Sequence, residues 1–164
     1  MTAQGEDDVL MATLRLAMGI SVQAADAVGD DVSTVQLRAL TLIARDPGCN
    51  LGRLARAMGV ALSTASRLVE RLVAGGLVDR RTSDTNRREV TLRLTDHGDR
   101  TLARYDAIRL EGLRRVLEHV EPEQRDAVLT GLRLLTGAAE RVPAAQRRRQ
   151  DSADNPSTVR QPAT

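Results

Sequence analysis

The sequence predicts a mainly α-helical fold in which a single small β-hairpin interrupts a succession of helices. Three observations predict it. Of 164 residues 41% are hydrophobic, but Tyr105 is the only aromatic one, so the core has to be built from Leu, Val, Ala, Ile and Met. Leu, Ala and Met are strong helix formers. Apolar residues recur at helical spacing along most of the chain. The exception falls between Leu77 and Leu94, where a polar run is followed by the alternation Val90, Leu92, Leu94, the period of a strand with one buried face. The length suits one domain with a sizeable core and is short for two.

The elements follow in order. A first helix is predicted over Val9 to Val28, with Leu10, Leu14, Met18 (or Ala17) and Val22 on a wide apolar stripe that touches more than one surface. Ser33 followed by Gln36 is a capping-box pattern and opens a second helix, whose buried face is Leu37, Leu40 and Ile43 (or Ala44). Asp46-Pro47-Gly48 stops it, because proline cannot continue a helix and glycine tolerates the reversal. Asn50 caps a short third helix, LGRLARAM, which Gly59 ends. A fourth helix runs from Leu62 to Ala74 and stops at Gly75-Gly76. Leu77 and Val78 open a strand that continues through Arg81, the run TSDTNRR turns, and EVTLRL returns. Thr95 caps a long helix from Asp96 to Val120, with Leu102, Ile108, Leu113, Leu117 and Val120 as its apolar positions. Pro122 suits the first turn of a last helix, where its missing N–H costs nothing. Val128, Leu132, Leu135 and Ala139 line one face of that helix. From Pro143 onward the chain is polar and aperiodic, which predicts a disordered tail. Its Arg147-Arg148-Arg149 is either a loose phosphate contact or a solvated run.

Charge is unevenly distributed. Residues 1–31 hold six carboxylates and one arginine, a net −5, whereas residues 51–94 hold nine arginines and four carboxylates, a net +5. All 24 basic residues are arginine, a planar fork suited to phosphate and base edges. A basic block bounded by acidic sequence points to a polyanion partner for one region, with a merely solvated surface as the competing explanation.

The informative stretch is LGRLARAMGVALSTASRLVERL. Two helices meeting at Met58-Gly59-Val60 form a helix-turn-helix pattern. On the second, Ala65, Leu68, Val69, Leu72 and Val73 form the inward side, and Ser63, Thr64, Ser66, Arg67, Glu70 and Arg71 the remaining surface. Small hydroxyls near a helix N-terminus approach phosphates and base edges closely, and Arg67 can reach a guanine with both arms. The hairpin that follows directly makes the arrangement a winged helix. A tip bearing Arg87 and Arg88 suits a narrow minor groove, whose negative potential attracts arginine.

With those pieces in place, residues from about Ser33 to Ala139 resemble the MarR family of bacterial transcriptional regulators. STASRLVERLVAGGLVDR is similar to that family's recognition helix running into the first wing strand, and NRREVTLRLTDHG resembles its wing signature. The flanking order, one helix before and two long ones after, agrees. The resemblance implies that Arg88 is the wing arginine entering the minor groove. It implies that Ser63, Thr64, Ser66 and Arg67 face the major groove, with Arg71 on the same helix surface, and that Arg80 and Arg87 contact phosphates. Two departures stand out. The acid that orients the wing arginine is Asn86 here, with Asp84 near enough to substitute. The usual polar N-cap of the recognition helix is Ala61, which weakens the cap by about 1 kcal/mol unless Ser63 caps instead and the helix starts later.

The resemblance also implies a homodimer, held by an N-terminal dimerisation helix (1–32) and C-terminal dimerisation helices (96–142) around a winged helix-turn-helix region (33–95), with the tail at 143–164. It implies a repressor that binds double-stranded DNA at a near-palindromic operator and is released by a signal the sequence does not identify. Many members of the family release DNA on binding a phenolic ligand or on cysteine oxidation. Tyr105 alone argues against an aromatic-lined pocket. Cys49 lies just before the third helix rather than near the chain's start, and reads as a small buried hydrophobe more than as a redox sensor. His97 and His119 fall on predicted helix surfaces with no Cys, Asp or Glu at metal-ligand spacing, and no phosphate loop or nucleophile–base motif occurs, so the sequence predicts no enzyme, no metal and no cofactor. The acidic start is unlike a signal peptide, no apolar run approaches a membrane span, and one unpaired cysteine suits a reducing cytoplasm. The competing function is a winged-helix dimer that binds protein and has lost DNA.

Overall fold

The Ser33–Gln36 capping box forms: the Gln36 N–H donates to Ser33 Oγ at 3.3 Å, and the Ser33 N–H donates to Gln36 Oε1 at 2.8 Å. Reciprocal satisfaction of two N–H groups is what starts a helix at this point. The structure, a computed structural model, describes residues 2–29, 32–82 and 90–141. Its elements are α1 (Ala3–Val28), α2 (Thr34–Arg45), β1 (Cys49–Asn50), α3 (Leu51–Met58), α4 (Leu62–Ala74), β2 (Val78–Thr82), β3 (Val90–Leu94), α5 (Asp96–Glu118) and α6 (Pro122–Arg141). The fold is mainly helical with one small antiparallel sheet, as the sequence predicts. The chain divides into two compact units, Met1–Val116 and Leu117–Thr164.

In the first unit the core is the meeting place of α2, α3, α4 and the hairpin. Leu37, Leu40 and Ile43 of α2, Leu54 of α3, Val69 and Leu72 of α4, Val78 of β2 and Leu92 of β3 are fully buried. Ala24 and Ala25 near the end of α1, and Leu102 and Tyr105 of α5, pack onto the same cluster. Each fully buried Leu or Val contributes roughly 1.5–3 kcal/mol of transfer free energy, so this cluster dominates the unit's stability. In the second unit α6 has no buried residue, and Leu134 is 70% exposed.

The sheet holds a strand that the sequence did not announce. Its order is β1-β3-β2, with Cys49 opposite Leu92 and Asn50 opposite Thr91, and the Gly48 N–H donates to the Leu92 carbonyl at 3.0 Å. A two-residue strand carries no period to detect, and only its long-range partner reveals it. The consequence is mechanical. The return strand of the hairpin is clamped between β2 and the segment that opens α3.

Other boundaries move. α1 starts at Ala3, not Val9, because Glu6, Asp7 and Asp8 are helix-compatible on a solvent face. α5 ends at Glu118 and leaves Val120 in the following turn. Val73, expected on the inward side of α4, is 38% exposed, and Ala44 is exposed, so Ile43 fills the α2 site. Along β3 burial falls from Leu92 to Val90, which is 49% exposed, because the outer end of the hairpin runs past the core. By length and composition alone α1 is long and apolar enough to cross a membrane, but it is not one unbroken apolar run. Arg15 interrupts the apolar run, which is why no uninterrupted span is visible in the sequence.

Candidate nucleic-acid interface

The surface of interest is built from three local decisions. Asn50 caps α3 by accepting from the Arg53 N–H at 2.9 Å. Gly59 then ends α3 in the left-handed region, φ 70° and ψ 30°, with its N–H and that of Val60 returning to carbonyls of the last turn. A side chain at that φ is strained, so glycine sets the sharp angle at which α4 leaves. The amphipathic α4 then buries Ala65, Leu68, Val69 and Leu72, which forces its opposite side outward.

That outward side carries Ser63, Thr64, Arg67, Glu70 and Arg71, all exposed. Ser66 behaves differently. It is half-buried on the flank facing the hairpin, and its hydroxyl donates to Glu70 Oε1 at 3.0 Å. Ala61 sits at the N-cap without a side-chain hydrogen bond, and the helix begins at Leu62, so Ser63 does not cap and the later start is not adopted. The first-turn N–H groups without intrahelical partners are thereby left to water or to an anion.

The hairpin stands beside this face. Arg80 pairs across the sheet with Leu92 and lies on the face of β2 that looks toward α4. It borders an open groove of about 350 Å³ lined by Leu51, Ser66, Arg80, Arg81, Val90 and Leu92. Arg81 Nη2 is 3.4 Å from Asp79 Oδ2, a solvent-exposed pair of small energetic weight. Ser63, Thr64, Arg67 and Arg71 therefore share the outward side of α4, and Ser66, at the seam with the hairpin, lines one groove with Arg80. Asp84, Asn86, Arg87 and Arg88 of the predicted wing tip, and the tail with Arg147 to Arg149, lie outside the described residues.

Away from this face, Cys49 is buried. Burial pushes its thiol up and the Asp46 carboxylate adds to that, with Arg53 and a backbone hydrogen bond opposing. Arg53 is itself held by Asp46 at 2.7 Å. A thiol held up in this way is poorly nucleophilic, which matches its reading as a small hydrophobe. Tyr105 lines a cleft of about 360 Å³ with Ala17, Met18, Ser21, Val22 and Thr34, an apolar wall with one aromatic ring. Among the described residues no group of His, Cys, Asp and Glu is arranged to hold a metal.

Glu70 is the residue whose involvement the sequence left open. It was visible as a surface position, but its link to Ser66 follows only from helical i,i+4 geometry once Ser66 is seen to face sideways.

Known proteins resemble this chain along the same lines. A family model described as MarR family matches residues 30–89. The uncharacterized HTH-type transcriptional regulator YfiV of Bacillus subtilis (strain 168) is 33% identical over 111 residues, covering 67% of this chain and 69% of YfiV. The crystal structure of RV1404 from Mycobacterium tuberculosis is similar at a TM-score of 0.76 and 29% identity, over 84% of this chain and 94% of RV1404. The transcriptional repressor CouR, bound to a 23-mer DNA duplex, is similar at a TM-score of 0.57 and 27% identity, over 79% of this chain and 89% of CouR.

Proposed function

The chain belongs to the MarR family of transcriptional regulators, and on that premise we propose that it is a repressor that reads a near-palindromic operator as a homodimer. It is a DNA-binding regulator and not an enzyme. The observation that carries the finer reading is the outward face of α4, where Ser63, Thr64, Arg67 and Arg71 stand exposed, with Ser66 on its flank sharing a groove with Arg80 of the hairpin. In this reading α4 enters the major groove, Arg67 reads a base edge, and Ser63 and Thr64 meet phosphates and base edges together with the helix N-terminus. Ser66 holds Glu70 and contacts DNA only at the seam. Arg80 and Arg87 contact phosphates. Arg88 enters the minor groove, oriented by Asp84 or Asn86.

The homodimer is supported by apolar faces left exposed among the described residues. Val9, Leu10, Leu14, Met18 and Val22 of α1 are 50–59% exposed, and Leu134 and Leu135 of α6 are more than half exposed. Patches of this kind on a small protein mark an interface. A second copy would cover them and set two recognition helices on the two halves of the operator. Release by a small-molecule effector is supported by the cleft at Tyr105, whose walls suit a mostly aliphatic ligand. The protein would act in the cytoplasm.

The test uses the full chain and duplexes from its own upstream region. Binding is expected to weaken steeply as salt rises, because each neutralised phosphate releases counterions. Arg88→Ala is expected to weaken binding while sedimentation still reports a dimer. Unchanged specific binding by that variant would remove the wing assignment. A dimer with no salt-sensitive binding to any duplex would favour the protein-interaction function instead.

A further inference from the structure

We propose that Thr95 is a positioning residue for DNA reading, the joint that fixes the exit of the recognition helix to the first turn of α5. The Thr95 hydroxyl makes two bonds of opposite sense. It donates to the Gly76 carbonyl, just past the end of α4, at 2.6 Å. It accepts from the Gly98 N–H at 3.0 Å, as the N-cap of α5. The Thr95 N–H donates to the Leu77 carbonyl at 3.1 Å. Gly98 is buried against the same residue, with the Leu77 carbonyl carbon only 3.0 Å from where a Cβ would stand.

Three contacts from two residues therefore converge on Gly76-Leu77. Capping a helix needs only an acceptor. The bond to Gly76 is a donation across 19 residues, from the start of α5 to the end of α4, and it does nothing for the cap. Its effect is orientational. A hydroxyl that uses donor and acceptor capacity on two different helices holds their relative angle, and the buried glycine lets the backbones close on each other. The segment Leu94-Thr95-Asp96-His97-Gly98, read from sequence as the last part of a wing signature, is in this structure where the start of α5 meets the chain just past the end of α4.

The inference rests on the dimeric reading above, in which α5 belongs to the dimer scaffold. There the joint sets how far apart, and at what angle, the two copies of α4 are presented. Binding should then depend on Thr95 most where half-site spacing is tested.

The experiment first lets the full-length wild-type protein enrich duplexes from a random-sequence library. The enriched duplex is remade with one base pair added or removed between its half-sites. Wild type is expected to bind the enriched spacing at least about tenfold tighter than either altered one. Thr95→Ser keeps both bonds and should discriminate as wild type does. Thr95→Val loses both and should discriminate by no more than about threefold. Thr95→Asp separates the two roles, because its carboxylate can cap α5 but cannot donate to Gly76. It should keep the fold, as read by helical circular dichroism, and still lose spacing discrimination. Wild-type discrimination by Thr95→Asp would overturn the proposal and leave Thr95 a cap alone. Failure of the wild-type protein itself to enrich a duplex with two half-sites would instead overturn the dimeric DNA-reading function on which it stands.

Discussion

Gly98→Ala should destabilise the protein, although alanine is the better helix former. The residue lies in the first turn of α5, and inside a helix the exchange gains up to about 1 kcal/mol. Against that, a Cβ at Gly98 would overlap the Leu77 carbonyl oxygen, which is backbone and cannot rotate away. Overpacking of this kind costs about 1–3 kcal/mol. The shift that relieves it also stretches the Thr95 N–H bond to Leu77 and the Thr95 hydroxyl bond to Gly76, each worth about 1 kcal/mol net. The balance is a loss of about 2–3 kcal/mol, or a Tm lower by roughly 5–10 °C for a chain of this size. Gly52→Ala in α3 is the matched control. Its Cβ would meet Asn50 Oδ1 at 3.5 Å, an ordinary contact, so the same exchange should stabilise by up to about 1 kcal/mol. Thermal unfolding of wild type and both variants, at one fixed protomer concentration, reads the two signs together. A Gly98→Ala protein that melts at or above the wild-type temperature would refute the reasoning.

Three further outcomes are expected. Ala61→Ser supplies the missing N-cap acceptor at an extended residue (φ −62°, ψ 149°) and should stabilise by about 1 kcal/mol in urea unfolding; no gain would mean the first turn of α4 is already satisfied. Cys49 has a thiol pushed up by burial and Asp46, so the folded state holds its proton more tightly than the unfolded chain. Its contribution is full below the unfolded thiol value of about 8.5 and is lost as pH rises above it toward the folded value. Stability of wild type should therefore fall more steeply with alkaline pH than that of Cys49→Ala, and parallel curves would contradict the burial argument. Leu14→Glu on the exposed face of α1 should weaken the dimer about 10²–10⁴-fold, since an isologous interface loses the same leucine twice; sedimentation showing an undisturbed dimer would place the interface elsewhere.

What could be read in the sequence is what neighbours in the chain decide. Ser33 with Gln36, Asn50 before Leu51, Gly59 after Met58 and Thr95 three residues before Gly98 act over one helical turn, and each acts in the structure where the sequence places it. The buried side of α4 was legible for the same reason, because its period of burial is the period of the helix. The face proposed to read DNA follows as the complement of that side.

Tertiary structure decided the contacts that join distant segments. Cys49 pairs with Leu92 across 43 residues, and a two-residue strand has no pattern of its own until that partner arrives. Ser66 turned out to face the hairpin, because the flank of α4 it occupies is defined by where β2 and β3 lie, not by its own helix. Val73 stayed exposed because α4 is covered along a narrower arc than its apolar residues fill. Thr95 shows both levels at once. Its acceptor role, over three residues, belongs to the sequence. Its donation to Gly76 belongs to the fold, because only packing brings the end of one helix within 2.6 Å of the start of another.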